Sequence, residues 1–292
     1  MSTVLEDIKK NLKGGNSLTK LIYINVGVFL ITSILHVLSF LFMVNSLEFL
    51  NYFTLPASIS YFIKKPWSII TYMFLHQSFI HLLFNMIWLY FGGQIFLSFF
   101  DNKKLISTYV LGGISGAVLF IISFNLFPAF AGVLQNAVAV GASASVLAII
   151  MAITTKSPNY SIRLFLIGNI KLKHIAIVSI VLDILSIPQG NAGGHIAHLG
   201  GAFFGYLYVK QLNGGNDIAS GFNKIMDYLA TYLKRESKLK KAYSRKKSDQ
   251  DFRKEKVQEQ AKIDKILEKI AKSGYEGLTQ EEKDILFKAS KK

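Results

Sequence analysis

The chain has 292 residues, of which 51% are hydrophobic, and it carries a formal net charge of +15. It contains no cysteine, which excludes disulfides, thiol nucleophiles and cysteine-based metal sites. No charged residue lies between Leu105 and Thr155, whereas the last eighty residues carry 20 Lys and Arg against 13 Asp and Glu. This segregation predicts a membrane domain with a basic tail that meets an anionic leaflet; we expect no nucleic-acid partner.

The N-terminal segment, residues 1–20, contains Glu6 and Asp7 and has no small-residue cleavage site after a short apolar core. It is predicted to be a retained cytoplasmic segment and not a signal peptide.

Six stretches are predicted to cross a membrane, because each approaches the roughly 20 apolar residues that a helix needs to span the hydrocarbon. They lie at about 21–43, 79–100, 105–126, 137–155, 172–188 and 194–212. Lys and Arg precede the first span and follow the second, fourth and sixth, but not the third or fifth. The positive-inside rule therefore predicts a multi-pass protein of the cytoplasmic (inner) membrane with both termini cytoplasmic. We expect an all-α, six-transmembrane-helix bundle with short helices around an outer-facing buried cavity.

The segments outside the spans contain further signals. Residues 44–78, between the first two spans, are rich in aromatic rings and are expected to lie in the outer interface. Residues 213–234 predict an amphipathic juxtamembrane helix, and residues 235–292 predict a basic linker, to about 260, followed by a small cytoplasmic helical module of unknown partner. In that module an apolar stripe ends at Gly274, and Thr279 with Glu282 forms a capping box.

Polar groups from three spans are predicted to share one depth. At 1.5 Å per residue, Ser143 lies about 20 Å above Lys156, and His198 lies about 18 Å above Lys210. Asn85 lies about 24 Å above the charge that follows its span, with His81 one turn further out on the same face. Because polar groups in a bilayer are costly, this layer of polar residues indicates a functional site.

The pair Ser143 and His198 has the chemistry of a nucleophile and its general base, with no obvious third carboxylate. The Asn85 amide, His81 and the Ser143 backbone N–H are candidate donors to an oxyanion, and Gly141 allows substrate backbone to come close. Such a set predicts acyl transfer, most naturally peptide hydrolysis. Ser145, about 200° further around the helix, is expected to face away and pack.

Three motifs resemble those of the rhomboid intramembrane serine proteases, in the expected order and spans. "HQSFIHLLFN" carries His76, His81 and Asn85, "GASA" carries Ser143, and "AHLGGAFFG" carries His198, Gly201 and Gly205. The resemblance covers roughly residues 20–212 and has the pattern of the bacterial type. It implies an intramembrane endopeptidase that cuts transmembrane segments of other proteins with a Ser143–His198 dyad. It also implies that Gly201 and Gly205 allow close packing against the serine helix.

Two other functions fit parts of this pattern. Small residues such as Ser143 often serve only to pack membrane helices, and the protein is then a catalytically silent rhomboid-like binder of client helices. A transporter is disfavoured, because few ionisable groups lie along a path through the bilayer.

The remaining polar residues have simpler interpretations. We expect no cofactor and no metal, since no acidic residue is predicted to join His76, His81, His195 and His198. His76 and His195 are expected to hydrogen-bond loop backbone in a supporting role. Asp183 could tune a pKa or relay protons, but it is counted about 15 Å above Lys173 and below the dyad, so we expect it to tie helices together.

Overall fold

A computed structural model describes residues 16–43, 46–164, 168–242 and 249–289, and this part of the chain is predominantly helical. The first six long helices are α1 (Ser17–Leu41), α2 (Phe79–Phe99), α3 (Asn102–Leu126), α4 (Ser143–Lys156), α5 (Leu172–Ser186) and α6 (Ala192–Asn213). Three more follow: α7 (Ser220–Ala242), α8 (Asp249–Ser273) and α9 (Gln280–Ala289).

Among the described residues, four helical segments are long and apolar enough to cross a membrane. They are Ser17–Leu41, Phe79–Phe99, Asn102–Leu126 and Leu172–Gln189, the last of which includes a 3₁₀ turn after α5. Helices of this length and apolar composition indicate an integral membrane protein. α4 is apolar but has only 14 residues, and α6 has 22.

The fourth predicted span, 137–155, begins too early. Residues Val138–Ala139 form a short strand, and α4 begins only at Ser143. The reason is local: Gly141 has φ +129°, a conformation that a helix does not contain and that L side chains rarely adopt. The apolar character of the stretch continues across this break, so hydropathy alone did not locate it.

The core of the membrane domain is formed by α6 packed against α3 and α4. Glycines make the close approach possible, because a Cβ on Gly201 or Gly205 would overlap the carbonyl oxygen of Ala144 or Ala148 in α4. On α3, a Cβ on Gly116 would lie 2.6 Å from the Ala197 carbonyl oxygen of α6. Small residues thus let these three helices approach at backbone distance.

The connection between α1 and α2 packs onto this core. It contains the short helices Ser46–Asn51, Ile59–Phe62 and Ser68–Thr71, a 3₁₀ turn at Tyr72–Phe74, and the strand β1 (Leu55–Pro56). β1 pairs antiparallel with β2 (Val138–Ala139), with Leu55 opposite Ala139. Leu55 and Met73 are fully buried, so part of this aromatic-rich segment belongs to the interior of the domain.

The expectation of a purely helical fold missed two small sheets. Besides β1 and β2, strands β3 (Ser161–Leu164) and β4 (Gly168–Lys171) form an antiparallel hairpin between α4 and α5. The hairpin places β-branched Ile162 opposite Ile170. β-Branched side chains favour the extended backbone, and the pairing satisfies the backbone groups that a non-helical connection leaves free.

The chain divides into two compact units, Met1–Asp227 and Tyr228–Lys292. In the second unit α8 ends before Gly274, whose φ is +73°. Thr279 N–H donates to Glu282 at 2.8 Å, and Glu282 N–H donates to the Thr279 hydroxyl at 3.4 Å, as the predicted capping box requires. The stretch expected to be a linker is helical over 235–242 and 249–260, and its residues 243–248 lie outside the described part of the chain.

Candidate active site

The loop before α4 places Ser143 at the first residue of that helix, where the side chain is partly buried. Gly141 N–H donates to the Tyr72 carbonyl oxygen at 2.9 Å, and the Tyr72 hydroxyl donates to the Gly113 carbonyl oxygen at 2.6 Å. These bonds tie the loop to the α1–α2 connection and, through Tyr72, to α3. The Ser143 backbone N–H lies in the first turn of α4, where amides have no partner within the helix.

His81 and Ser143 approach each other across Gly141. A Cβ built on Gly141 would lie 2.8 Å from His81 Cε1, 3.0 Å from His81 Nε2 and 3.6 Å from Ser143 Oγ. Glycine is therefore required both by the backbone conformation and by the space that the imidazole occupies. Asn85, one turn along α2, is buried and donates from Nδ2 to the His81 carbonyl oxygen at 3.0 Å.

His198 lies in the second turn of α6 and lines the same cavity as Ser143, His81 and Asn85. The cavity has a volume of about 450 Å³. Its walls include Phe84 and Trp88 from α2, Val146 and Ile150 from α4, and Ser179 and Leu182 from α5. Among the described residues Ser143 Oγ and His198 share no hydrogen bond; such bonds are often long without substrate and tighten in the reacting complex.

Asp183 overturns the expectation that no third carboxylate accompanies Ser143 and His198. Its Oδ1 atom lies 2.8 Å from His198 Nδ1, so a carboxylate does stand behind the candidate base. Asp183 is buried and lines the cavity together with His198. Depth counting placed Asp183 below the dyad. The error of such a count is a few Å, which is about the reach of a side chain, so the count could not exclude a contact. α5 and α6 are also joined by a short connection, which brings Asp183 beside the first turns of α6.

The two supporting histidines differ from what was expected. His195 Nδ1 lies 2.8 Å from the same Asp183 Oδ1 and bonds this side chain, not loop backbone. His76 is buried, and neither of its ring nitrogens has a hydrogen-bond partner within the described chain. Its ring packs edge-on against His81, with centroids 5.2 Å apart. His76 thus supports His81 by packing, and burial lowers its pKa to about 4, which keeps it neutral near pH 7.

Ser145 is fully buried and packs away from the cavity, with its Oγ 3.9 Å from Met73 Sδ. A Cβ on Gly113 of α3 would lie 2.6 Å from this hydroxyl oxygen. Ser145 therefore belongs to the contact between α4 and its neighbours, and Ser143 alone of the two hydroxyls lines the cavity.

Asp183, His195 and His198 also form a group of potential metal ligands, whose nearest ligand atoms all lie within 4.8 Å of one another. The expectation that no acidic residue joins these histidines was wrong. The two distances of 2.8 Å to one oxygen are those of hydrogen bonds. Tetrahedral zinc ligands with bonds of 2.0–2.1 Å lie about 3.3 Å apart, so this arrangement fits hydrogen bonding better than zinc.

Two signals in the sequence pointed toward Asp183. Asp183 is the single acid of its span, and in DILSIPQGNAGGH only eleven residues separate it from His195, too few for the two helices to be far apart. Trp88 of α2 also lines the cavity. The positions of Asp183 and Trp88 at the cavity do not follow from helical periodicity, because they depend on how α5 and α2 are rotated against α4 and α6.

Comparison with known proteins gives two family matches. Residues 64–213 match the model of the Rhomboid domain, and residues 246–292 match a family of unknown function (DUF6576). A curated relative, presenilin-associated rhomboid-like protein A, mitochondrial, of Danio rerio, is 28% identical over 160 residues. The similarity covers 52% of this chain and 40% of the relative, so the chain matches less than half of the length of that protein.

Proposed function

The chain belongs to the rhomboid family, and on this premise we propose that it is an intramembrane serine endopeptidase that cleaves transmembrane segments of other membrane proteins. The observation that carries the proposal is the shared cavity: Ser143, at the start of α4, and His198, on α6, line it together with His81 and Asn85 of α2. A nucleophile, a base and oxyanion donors then face one space large enough for a substrate backbone.

The reaction uses the groups in that cavity. His198 Nε2 accepts the Ser143 proton while Oγ attacks the scissile carbonyl carbon, and the tetrahedral intermediate carries a negative oxygen. The resulting imidazolium gives its proton to the leaving amine, and the C–N bond breaks to leave an acyl-enzyme. Water, losing a proton to His198, then hydrolyses the ester and regenerates Ser143.

The oxyanion is stabilised by donors that the fold positions in advance. The Ser143 N–H stands at the N-terminus of α4, where the helix dipole favours negative charge. The His81 ring lies beside Gly141, close to the Ser143 hydroxyl, and Asn85 is one turn away with a second amide hydrogen. Fixed donors in a site with little water stabilise the developing charge strongly.

The membrane arrangement is part of the proposal. We place α1 to α6 as six spans, with the short α4 beginning inside the bilayer and the cavity facing the outer side. Both termini then lie in the cytoplasm of a cell whose inner membrane holds the protein. Residues 21–212 form the protease domain, 213–234 the juxtamembrane segment, which includes the first part of α7, and 235–292 the basic segment and helical module, whose partner is unassigned.

Covalent labelling tests the nucleophile. Purified full-length protein is treated with a serine-reactive phosphonate, and the labelled residue is located by mass spectrometry. We expect labelling of Ser143 in the wild type, none in Ser143→Ala, and labelling retained in Ser145→Ala. Equal labelling of wild type and Ser143→Ala, or no labelling of either, contradicts the proposal.

Cleavage of a reporter membrane protein separates the protease from a catalytically silent binder of client helices. We expect cleavage by the wild type and loss of at least about 10³-fold in Ser143→Ala and His198→Ala. Crosslinking of the reporter to the wild type without any cleavage would instead favour the silent binder. Persistent cleavage by His198→Ala would remove the dyad mechanism.

A further inference from the structure

One carboxylate stands behind two histidines of α6. Asp183 Oδ1 lies 2.8 Å from Nδ1 of His198 and 2.8 Å from Nδ1 of His195. The side chain of Asp183 is 10% exposed, and those of the histidines are 24% and 23% exposed. His198 and Asp183 both line the cavity, whereas His195 is not among its lining residues in the described chain.

The shared oxygen restricts the protons on both rings. An ionised carboxylate only accepts hydrogen bonds, so each Nδ1 must carry a hydrogen to make its contact. A protonated Asp183 would donate to one ring at most. An unprotonated Nδ1 at 2.8 Å from a carboxylate oxygen would set two lone pairs against each other. The arrangement in which both contacts are charge-assisted hydrogen bonds is therefore Asp183 ionised with both histidines in the Nδ1–H tautomer.

That tautomer leaves Nε2 of His198 without a hydrogen. Nε2 lies on the far side of the ring from Asp183, and its lone pair is the one that accepts the Ser143 proton in the proposed reaction. We propose that Asp183 is a positioning residue: it holds His198 in the Nδ1–H tautomer and faces the imidazolium formed during catalysis, while His195 holds the carboxylate in place. The catalytic consequence rests on the proposed function; the tautomer does not.

The role of His195 follows from burial. A carboxylate with so little exposure needs its donors inside the protein, since an unpaired buried charge is costly. His195 supplies a second charge-assisted hydrogen bond and so restrains the oxygen that His198 uses. With its oxygen held in this way, Asp183 fixes the orientation of the His198 imidazole, as carboxylates orient histidines that bind metals.

Two readouts test this in full-length protein reconstituted in lipid. The first is the ¹⁵N spectrum of histidine-labelled wild type, with the His198 signals identified by their loss in His198→Gln. We expect a protonated Nδ1 and an unprotonated Nε2 in His198. In Asp183→Asn, whose amide nitrogen donates instead of accepting, we expect the hydrogen to move to Nε2. Wild type in the Nε2–H tautomer, or no change in Asp183→Asn, overturns the proposal.

The second readout is kinetic, with a cleavable transmembrane reporter. Removing a triad carboxylate while leaving the geometry intact lowers kcat by up to about 10⁴-fold in soluble serine proteases. For Asp183→Asn we expect a fall in kcat of at least about 10-fold with KM kept within about 3-fold, because the residue acts through the base. His195→Ala should lose less than Asp183→Asn. An unchanged kcat in Asp183→Asn overturns the positioning role.

The two readouts distinguish a failure of the proposed function from a failure of the role assigned to Asp183. If the wild type neither labels nor cleaves, the proposed function fails, but the ¹⁵N spectrum still decides whether Asp183 sets the tautomer. If Asp183→Asn does not fold, the wild-type spectrum alone decides it. Stoichiometric zinc in purified wild type, lost in Asp183→Asn, would replace the positioning role by a metal centre.

Discussion

At the scale of single residues, two neighbouring hydroxyls have different surroundings. Ser143 lines the cavity, and Ser145, two residues on, is buried against Met73 and α3. The difference follows from helix geometry, because two residues turn the side chain by about 200°. One hydroxyl of the pair thus faces the cavity and the other does not.

Replacing Ser145 by Ala is expected to keep reporter cleavage within about 3-fold of wild type. The Oγ–Sδ contact of 3.9 Å is weak, and alanine leaves the close packing against α3 intact. Rates of Ser145→Ala, Ser143→Ala and wild type are compared at equal folded concentration. An inactive but folded Ser145→Ala would show that this hydroxyl has a part in the reaction.

Among the helices, the position of His198 depends on the contact between α6 and α4. Gly201 and Gly205 face Ala144 and Ala148, and any side chain at these glycines meets backbone. Backbone does not rotate away as a flexible side chain does, so α6 must shift as a whole. The same contact that packs the helices therefore sets the distance between His198 and Ser143.

Gly201→Ala should test this dependence. Overpacking of this kind costs about 1–3 kcal/mol, and a displacement of about 1 Å at the base lowers activity by about 10²-fold. Thermal unfolding and reporter cleavage are measured together. Gly27→Ala in α1 is the matched control, since a Cβ there meets nothing within 4 Å. Equal activity of the two variants contradicts the argument.

The contacts at the N-terminal cap of α9 lead to a further prediction. Lys269 Nζ lies 2.9 Å from the carboxylate oxygens of Glu282, which also accepts from Thr279 N–H. The bond from Lys269 and the bond from Thr279 hold the pKa of Glu282 below its ordinary value of 4.5. A depressed pKa means that the stabilisation is present above the unfolded pKa and is lost as the pH falls through the folded one.

We therefore expect α9 to lose protection as the pH falls below 4.5, the ordinary pKa of this side chain, and through its lowered pKa in the folded protein. Amide hydrogen exchange of α9, corrected for intrinsic rates, measures the change. In Glu282→Gln the protection should be lower at neutral pH and nearly independent of pH over this window. Glu281→Gln, at the neighbouring exposed position, should behave as wild type; a Glu282→Gln curve identical to wild type contradicts the cap.

At the scale of the whole molecule, the candidate site lies within the first of two units. Every residue that lines the cavity, from Gln77 to His198, belongs to Met1–Asp227. The second unit carries its own helices and the match to a family of unknown function. Among the described residues, the cavity and the segment that matches the family of unknown function therefore belong to different units.

Truncation after Ala242 is expected to leave phosphonate labelling of Ser143 within about 2-fold of the full chain, because no lining residue is removed. The labelling rate is measured for both proteins in the same lipid. Loss of labelling in a truncated protein that still folds, judged by its thermal transition, would mean that the module supports the site.

Much of the architecture could be predicted, and the errors have physical causes. Periodicity and hydropathy placed α2, α3 and α5 within a few residues, and the Thr279–Glu282 box located α9. The start of α4 was misplaced because Gly141 breaks the helix within an apolar run. The pairing of β3 with β4 was missed because it joins two different stretches of chain, which a span-by-span hydropathy pattern does not detect.

The sequence by itself determined the membrane character, the family motifs and the choice of Ser143 over Ser145, because these depend on composition and on the period of one helix. Only the tertiary structure decided which groups meet across helices. Asp183 stands behind His198 and His195 because α5 and α6 are held at a particular rotation and depth by their packing. A side chain reaches only a few Å, so contacts of this kind depend on displacements smaller than any count along the chain resolves.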